Sequence, residues 1–193
     1  EKPHFENERN SAFRVQMRGG SFGYVSPSIR WWQKAGSRTS FSLNGNYMRA
    51  DGNYPFTLVN GKYVTEEKRN NSAIYTYQIE PTLFHTFKDS SNLELKAYYF
   101  YSKRGLPGSV TLYNPISDET LWDENVFIQT RYKKDFSQKW SLQAQAKYNH
   151  GWNKYEDKGN EYADGLYRAV HRQDEYYLSA TALYRPWNVL SLS

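Results

Sequence analysis

The sequence contains no cysteine, which removes a disulfide framework and any thiolate metal site from consideration. No run approaches the roughly 20 apolar residues that a membrane-spanning helix requires, and no stretch shows the apolar period of a helix. Hydrophobic residues make up 38% of the 193 positions and mean hydropathy is -0.90, a thin provision for a close-packed soluble core. A GxSxG elbow and an HExxH pair are both missing. His4, His85, His150 and His171 are scattered, without a nucleophile and acid partner close in sequence, so nothing points to an enzyme. Glu1 stands where an initiating Met or a signal peptide would, and the expectation is a processed or excised piece.

Charge of one sign is also not concentrated enough to suggest nucleic acid. The 25 Lys and Arg against 20 Asp and Glu give +5, but basic residues occur mostly singly and are nearly matched by acids. The RGG at Arg18 to Gly20 is a single copy, which gives little support to single-strand binding.

What the sequence has in quantity is aromatic side chains: 18 Tyr, 10 Phe and 6 Trp. Disordered chains are poor in these residues, so they must pack somewhere. The stretch "WSLQAQAKYNHGW" shows how. Trp140, Leu142, Ala144, Ala146, Tyr148, His150 and Trp152 fall on one side, with Ser141, Gln143, Gln145, Lys147, Asn149 and Gly151 on the other. A side-chain period of two over this length predicts a half-buried β-strand. The pattern returns in Thr39 to Met48, Ala73 to Phe87, Asn92 to Ser102 and Tyr176 to Arg185.

Connections alternate in length. Short polar turns are expected at Lys34 to Arg38, Lys88 to Ser91, Phe136 to Lys139 and Arg185 to Asn188. Between them lie stretches of about twenty residues, at Asp51 to Asn71, Lys103 to Asp123 and Asn153 to Gln173, long for the loops of a compact soluble domain. Membrane β-barrels pair short turns at one rim with long loops at the other. Their strands need about 9 to 11 tilted residues to span the hydrocarbon layer. Leu142, Ala144 and Ala146, or Leu178, Ala180 and Ala182, would form the slim lipid-facing band. Trp140, Trp152, Tyr176, Tyr184, Tyr99, Tyr101, Phe87, Tyr75 and Tyr77 would form the flanking aromatic girdles.

The competing expectation is a soluble β-sandwich serving as a glycan-binding or adhesion module. A sandwich core favours Val, Ile and Leu in mid-strand, whereas Ala is frequent here. Pro27 and Pro81 fall inside strand patterns and are expected at bulges or where a lost N–H donor is tolerated. The segment Val126 to Lys134 alternates well only if Phe127 joins the polar side, and strict parity puts His85 and His150 on the lipid side.

The resulting fold class is all-β, an antiparallel up-and-down meander of about 8–9 long strands forming a fragment of a transmembrane β-barrel. Residues 1–193 then constitute one partial-barrel domain. Single-chain bacterial barrels have even strand numbers and no open edge, so a chain ending inside "VLSLS" is expected to be part of something larger.

The opening "FRVQMRGGSFGYVSPSI" resembles the first barrel strands of TonB-dependent outer-membrane receptors, which follow the plug domain. "ADGNYPFTLVNGK", "NNSAIYTYQIEPTL", "YYFYSKRGLPGSVTLYN" and "LWDENVFIQTRY" are similar to the cobalamin-receptor-like branch of that family. The resemblance runs over essentially the whole chain. It implies a barrel of about 22 strands closed over an N-terminal plug, in the Gram-negative outer membrane, of which this chain is the first part. It further implies active uptake of a scarce large ligand, a cobalamin or an iron chelate, driven by the TonB complex. The implied partners are that complex, the plug, outer-membrane lipid and a small-molecule ligand. Self-association through open strand edges is a further expectation for an isolated piece.

Ligand contacts would then come from the long extracellular loops, which carry Tyr54, Phe56, Tyr63, Tyr113, Trp122, Tyr155, Tyr162, Tyr167 and Arg168. Aromatic faces and guanidinium groups suit large ligands with flat surfaces and anionic groups. No cofactor or resident metal is expected. The acidic stretches Asp51 to Asn53 and Glu156 to Gly165 offer oxygen ligands but not the spacing of an EF-hand, and are expected to be solvated loop charge.

Overall fold

The structure is a computed structural model that describes residues 10–109, 117–158, 162–187 and 190–192. Eleven strands follow one another: β1 (Ser11–Gly19), β2 (Val25–Ala35), β3 (Thr39–Ala50), β4 (Pro55–Asn60), β5 (Tyr63–Lys68), β6 (Ile74–Thr86), β7 (Asn92–Leu106), β8 (Glu119–Asp135), β9 (Trp140–Asp157), β10 (Tyr167–Trp187) and β11 (Leu190–Leu192). Nine of them make one sheet in the order β1-β2-β3-β6-β7-β8-β9-β10-β11, and β4-β5 is a separate hairpin. Every pairing is antiparallel, so the sheet is a meander interrupted only by the inserted hairpin. The described residues contain no second sheet stacked on the first.

That single layer leaves an unusual amount of surface. The chain exposes 13890 Å², where a compact 22.8 kDa monomer would expose roughly 9,600 Å² by size scaling. Phe84, at 7% exposure, is the one buried large hydrophobic residue among those described. Leu178 is 82% exposed and Tyr176 81%, although both lie on a strand whose alternation predicts burial.

Register explains which residues share a face. Leu142, Ala144, Ala146 and Tyr148 stand opposite Ala182, Ala180, Leu178 and Tyr176. Ala146 and Tyr148 meet Thr130 and Ile128, which meet Leu95 and Ala97. Leu95 continues to Leu83, Leu83 to Phe41, and Leu43 to Trp31 and Phe13. One face is therefore apolar across the sheet. The other carries Arg14, Arg30, Asn44, Glu80, Lys96, Gln129, Lys147 and Gln145. Phe127 lies on this polar face as its parity requires, stacked on Tyr98 at 4.8 Å.

Both prolines are accommodated without a register shift. Pro27 pairs with Met17 but has no partner in β3, and Pro81 pairs with Leu43 but has none in β7. In each case the ladder is interrupted on one side only, where a missing N–H costs least.

The three long connections differ from expectation. The first contains the β4–β5 hairpin. Much of the other two is strand: β7 runs to Leu106, β8 starts at Glu119, β9 runs to Asp157 and β10 starts at Tyr167. In these outer segments both faces mix charged and aromatic residues, so the period of two fades. The backbone ladder continues regardless, since its hydrogen bonds do not depend on which face is greasy.

Candidate ligand-facing rim

Four side chains close the bases of the long connections at one end of the sheet. Asn71, in the left-handed region at φ 46°, donates its amide to Leu106 O at 3.0 Å and Glu119 O at 2.7 Å. Asn adopts this conformation more readily than most residues because its short side chain bonds locally. Ser72 Oγ donates to Gly52 O at 2.8 Å, Ser117 Oγ to Leu106 O at 2.7 Å, and Arg69 to Gly108 O at 2.6 Å. A Cβ on Gly52, at φ +65°, would press on Ser72. These contacts give the rim a fixed floor.

Above that floor the candidate residues separate into groups. Tyr155 and Tyr167 lie on β9 and β10, on the polar face, with ring centroids 6.0 Å apart. Tyr162, in the connection between them, packs on Tyr167 at 5.7 Å and donates its hydroxyl to Asp157 at 2.7 Å. Tyr155 donates to Glu119 on β8 at 2.9 Å. Burial, with the nearby Glu119 carboxylate, pushes the Tyr155 phenol well above its ordinary range. The result is a wall of three rings, two of whose hydroxyls, those of Tyr155 and Tyr162, are oriented by carboxylates.

Tyr54 and Phe56 form a second group. Their rings are 6.3 Å apart, and Phe22, from the β1–β2 turn, meets Tyr54 edge-on at 6.2 Å. Phe22 holds a φ of 58°, and its carbonyl accepts from the Asp51 amide at 2.8 Å, so a strained turn locks the two segments together. Among the described residues no ring contact joins this group to the first. Tyr63 is 73% exposed at the tip of the β4–β5 hairpin. Tyr113 lies outside the described residues.

Trp122 and Arg168 do not join either group, because register puts them on the other side of the sheet. Trp122 is opposite Lys154 and Lys103, with their ammonium nitrogens 3.7 and 5.3 Å from its ring centroid. Arg168 binds Glu156 at 2.8 Å, and Lys154 binds the same carboxylate at 3.2 Å. Burial pulls the Glu156 carboxyl upward, and the two cations outweigh it and hold it below the usual range.

Within the acidic stretches, Asp51 pairs with Arg49 at 3.1 Å, Glu156 with its two cations and Asp157 with Tyr162; Glu161 lies outside the described residues. Among the described residues no group of three or more His, Asp or Glu could hold a metal ion.

Alternation alone did not single out Phe22, Glu119 or the platform farther down the polar face. There Phe127 stacks on Tyr98, with Lys147 Nζ 4.4 Å and Lys96 Nζ 6.0 Å from its centroid. Lys96 also pairs with Glu80 at 2.8 Å. The available signal was an aromatic at a polar-parity position, which marks a ring kept away from the apolar face for a reason. Chemically, the rim offers ring faces and oriented hydroxyls for a bulky ligand. A comparison with protein-family models and with curated proteins gives no match to this chain.

Proposed function

We propose that this sheet is the first part of the wall of a TonB-dependent outer-membrane transporter that takes up a scarce large ligand such as a cobalamin or an iron chelate. On this reading the apolar face meets lipid, the polar face lines the lumen, and the knitted rim faces the cell exterior. Tyr54, Phe56, Tyr155, Tyr162 and Tyr167 then receive the ligand. Trp122 and Arg168 face outward above the membrane, and contribute to binding only if the ligand or a partner reaches over the rim.

The observation that carries the proposal is the course of two aromatic rows across the apolar face. On β9, Trp140 and Tyr148 stand eight residues apart, and on β10 Tyr176 and Tyr184 do the same. Eight residues span about 26 Å along a strand, enough for a tilted strand to cross the apolar band of an outer membrane. The rows also slant. Tyr47 is in register, through Tyr77, Tyr101 and Glu124, with Trp152, itself an aromatic of this face, and a second β9 aromatic, Tyr148, stands four residues nearer the short turns. Phe41 is in register, through Leu83, Leu95 and Thr130, with Ala146, yet the lower row reaches Trp140, six residues on. Strands tilted by about 40° and spaced about 4.8 Å keep a level line by shifting roughly one residue per strand. Over the four steps from β3 to β9 that amounts to the slant of both rows. Two flat interfaces crossed by tilted strands account for such a slant, which supports the reading.

The test uses the full-length reading frame in outer-membrane preparations. Heat-modifiable gel migration, together with TonB-dependent uptake of labelled cyanocobalamin or of a ferric chelate, is the expected result. A protein that purifies from the soluble fraction without detergent would contradict the proposal.

A further inference from the structure

The two ends of the sheet differ in charge. The three long connections, Asp51 to Asn71, Lys103 to Asp123 and Asn153 to Gln173, together hold nine Lys or Arg and ten Asp or Glu. The four short turns at the other end, Lys34 to Arg38, Lys88 to Ser91, Phe136 to Lys139 and Arg185 to Asn188, hold five Lys or Arg and one Asp. That carboxylate, Asp89, is held by Lys134 at 2.7 Å, and Asp135, at the end of β8, lies 3.8 Å from Lys133. Arg38, Lys88, Lys139 and Arg185, one for each turn, have no ion-pair partner among the described residues. All four are exposed.

Their places along the chain are alike. Lys88 follows Phe87, Lys139 precedes Trp140 and Arg185 follows Tyr184, while Arg38 is three residues from Phe41. These rings belong to the apolar face: Trp140 stacks on Tyr184 at 4.4 Å and Phe87 meets Tyr132 at 6.5 Å. Phe41 is 42% exposed and Trp140 48%. Arg38, Lys88 and Lys139 lie in the turns, past the strand ends, and the Arg185 amide donates to Lys139 O at 2.8 Å, which keeps the fourth cation at the same level. Beyond the strand ends neither face of the sheet covers these long side chains, and their charged heads extend into water beside the exposed rings.

In the sheet each short turn is two strands from the next, which at about 4.8 Å per strand steps the cations about 10 Å apart. A small free anion meets one of them. A lipid surface presents a phosphate to each, at the level where the adjoining rings enter the headgroups.

We infer that the short-turn rim binds anionic phospholipid headgroups of the phosphatidylglycerol type through Arg38, Lys88, Lys139 and Arg185. The inference rests on the barrel reading and adds to it a lipid class and the end of the strands that selects it. Each cation adds to the attraction toward an anionic surface, and salt screens that attraction.

The test uses the full-length protein reconstituted in phosphatidylcholine vesicles with a trace of spin-labelled phosphatidylglycerol or spin-labelled phosphatidylcholine. Electron paramagnetic resonance then gives the fraction of each lipid slowed by contact with protein. The expected result is a preference of about threefold for phosphatidylglycerol. It is lost in the fourfold variant Arg38→Gln, Lys88→Gln, Lys139→Gln, Arg185→Gln, and lost in the parent at about 1 M salt. It is kept in Lys62→Gln, Lys68→Gln at the other end. Equal slowing of the two lipids by the parent would overturn the inference and leave the row to an acidic protein. A preference that survives the fourfold substitution or the salt would overturn it as well. So would a preference abolished by millimolar inorganic phosphate but not by sodium chloride of equal ionic strength, which would make these cations a site for a free anion. The salt arm needs no substitution and decides if the fourfold variant does not fold. Slowing of neither lipid, with no heat-modifiable gel migration, would contradict the barrel reading instead, so the two failures are distinct.

Discussion

Tyr155 on β9 donates its hydroxyl to Glu119 on β8 at 2.9 Å, joining the outer ends of two strands above the upper aromatic row. Burial and the adjacent carboxylate both oppose ionisation of the phenol. A phenol whose folded pKa is raised contributes stability that is complete below the unfolded value, near 10, and is lost as pH rises toward the folded value. Ultraviolet titration should find one tyrosine fewer in the high-pH fraction in Tyr155→Phe than in the parent. An unchanged high-pH fraction would mean that the hydroxyl is not held by Glu119.

At the opposite rim, Asp89 in the β6–β7 turn binds Lys134 at 2.7 Å and accepts from the hydroxyl of Ser91 at 2.7 Å. These bonds hold its carboxyl far below the usual aspartate range. For a depressed carboxyl the contribution is present above the unfolded pKa and is lost as pH falls through the folded one. In Lys134→Gln the carbon-detected titration of Asp89 should move upward, toward an ordinary aspartate. No movement would show that the turn, not the lysine, sets it.

The Phe127–Tyr98 stack belongs on the polar face, where Lys147 caps it. An aromatic pair of this kind contributes about 0.5–1.5 kcal/mol beyond area burial. Phe127→Leu should therefore destabilise by about 1 kcal/mol in denaturant unfolding, with no change in detergent or lipid binding. A variant that loses membrane association would place the ring on the lipid side instead.

A charge placed on either face should separate the two. Ala144 lies midway between Trp140 and Tyr148 on the apolar face, and Gln145 is its neighbour on the polar face. An arginine at the bilayer midplane costs about 2–4 kcal/mol in a membrane barrel. Ala144→Arg should show a loss of that size in folding into lipid vesicles, and Gln145→Arg close to none. Equal losses at both positions would contradict the facing.

The long strands were legible because each repeats its apolar positions every second residue, and Trp140 to Trp152 alone fixes a face. Phe127 was legible for the same reason, as the exception that parity required. The outer halves of β7 to β10 were not: Lys103, Trp122, Lys154 and Val170 succeed one another across one face, so no alternation survives to separate strand from loop. For that reason Trp122, Tyr155, Tyr167 and Arg168 read as loop residues in the sequence, whereas they stand on β8, β9 and β10, with Trp122 and Arg168 on the face opposite to the two tyrosines.

The facing of β9 tests the account most directly, and a chain without cysteine makes the measurement clean. Single cysteines at positions 141 to 149, spin-labelled in the full-length protein in lipid bilayers, report accessibility to oxygen and to a water-soluble nickel complex. The account predicts a period of two, with oxygen favoured at 142, 144, 146 and 148 and greatest near 144, and nickel favoured at the positions between. Labels at the even positions shielded from both reagents would mean that another layer of protein covers this face, and would contradict it.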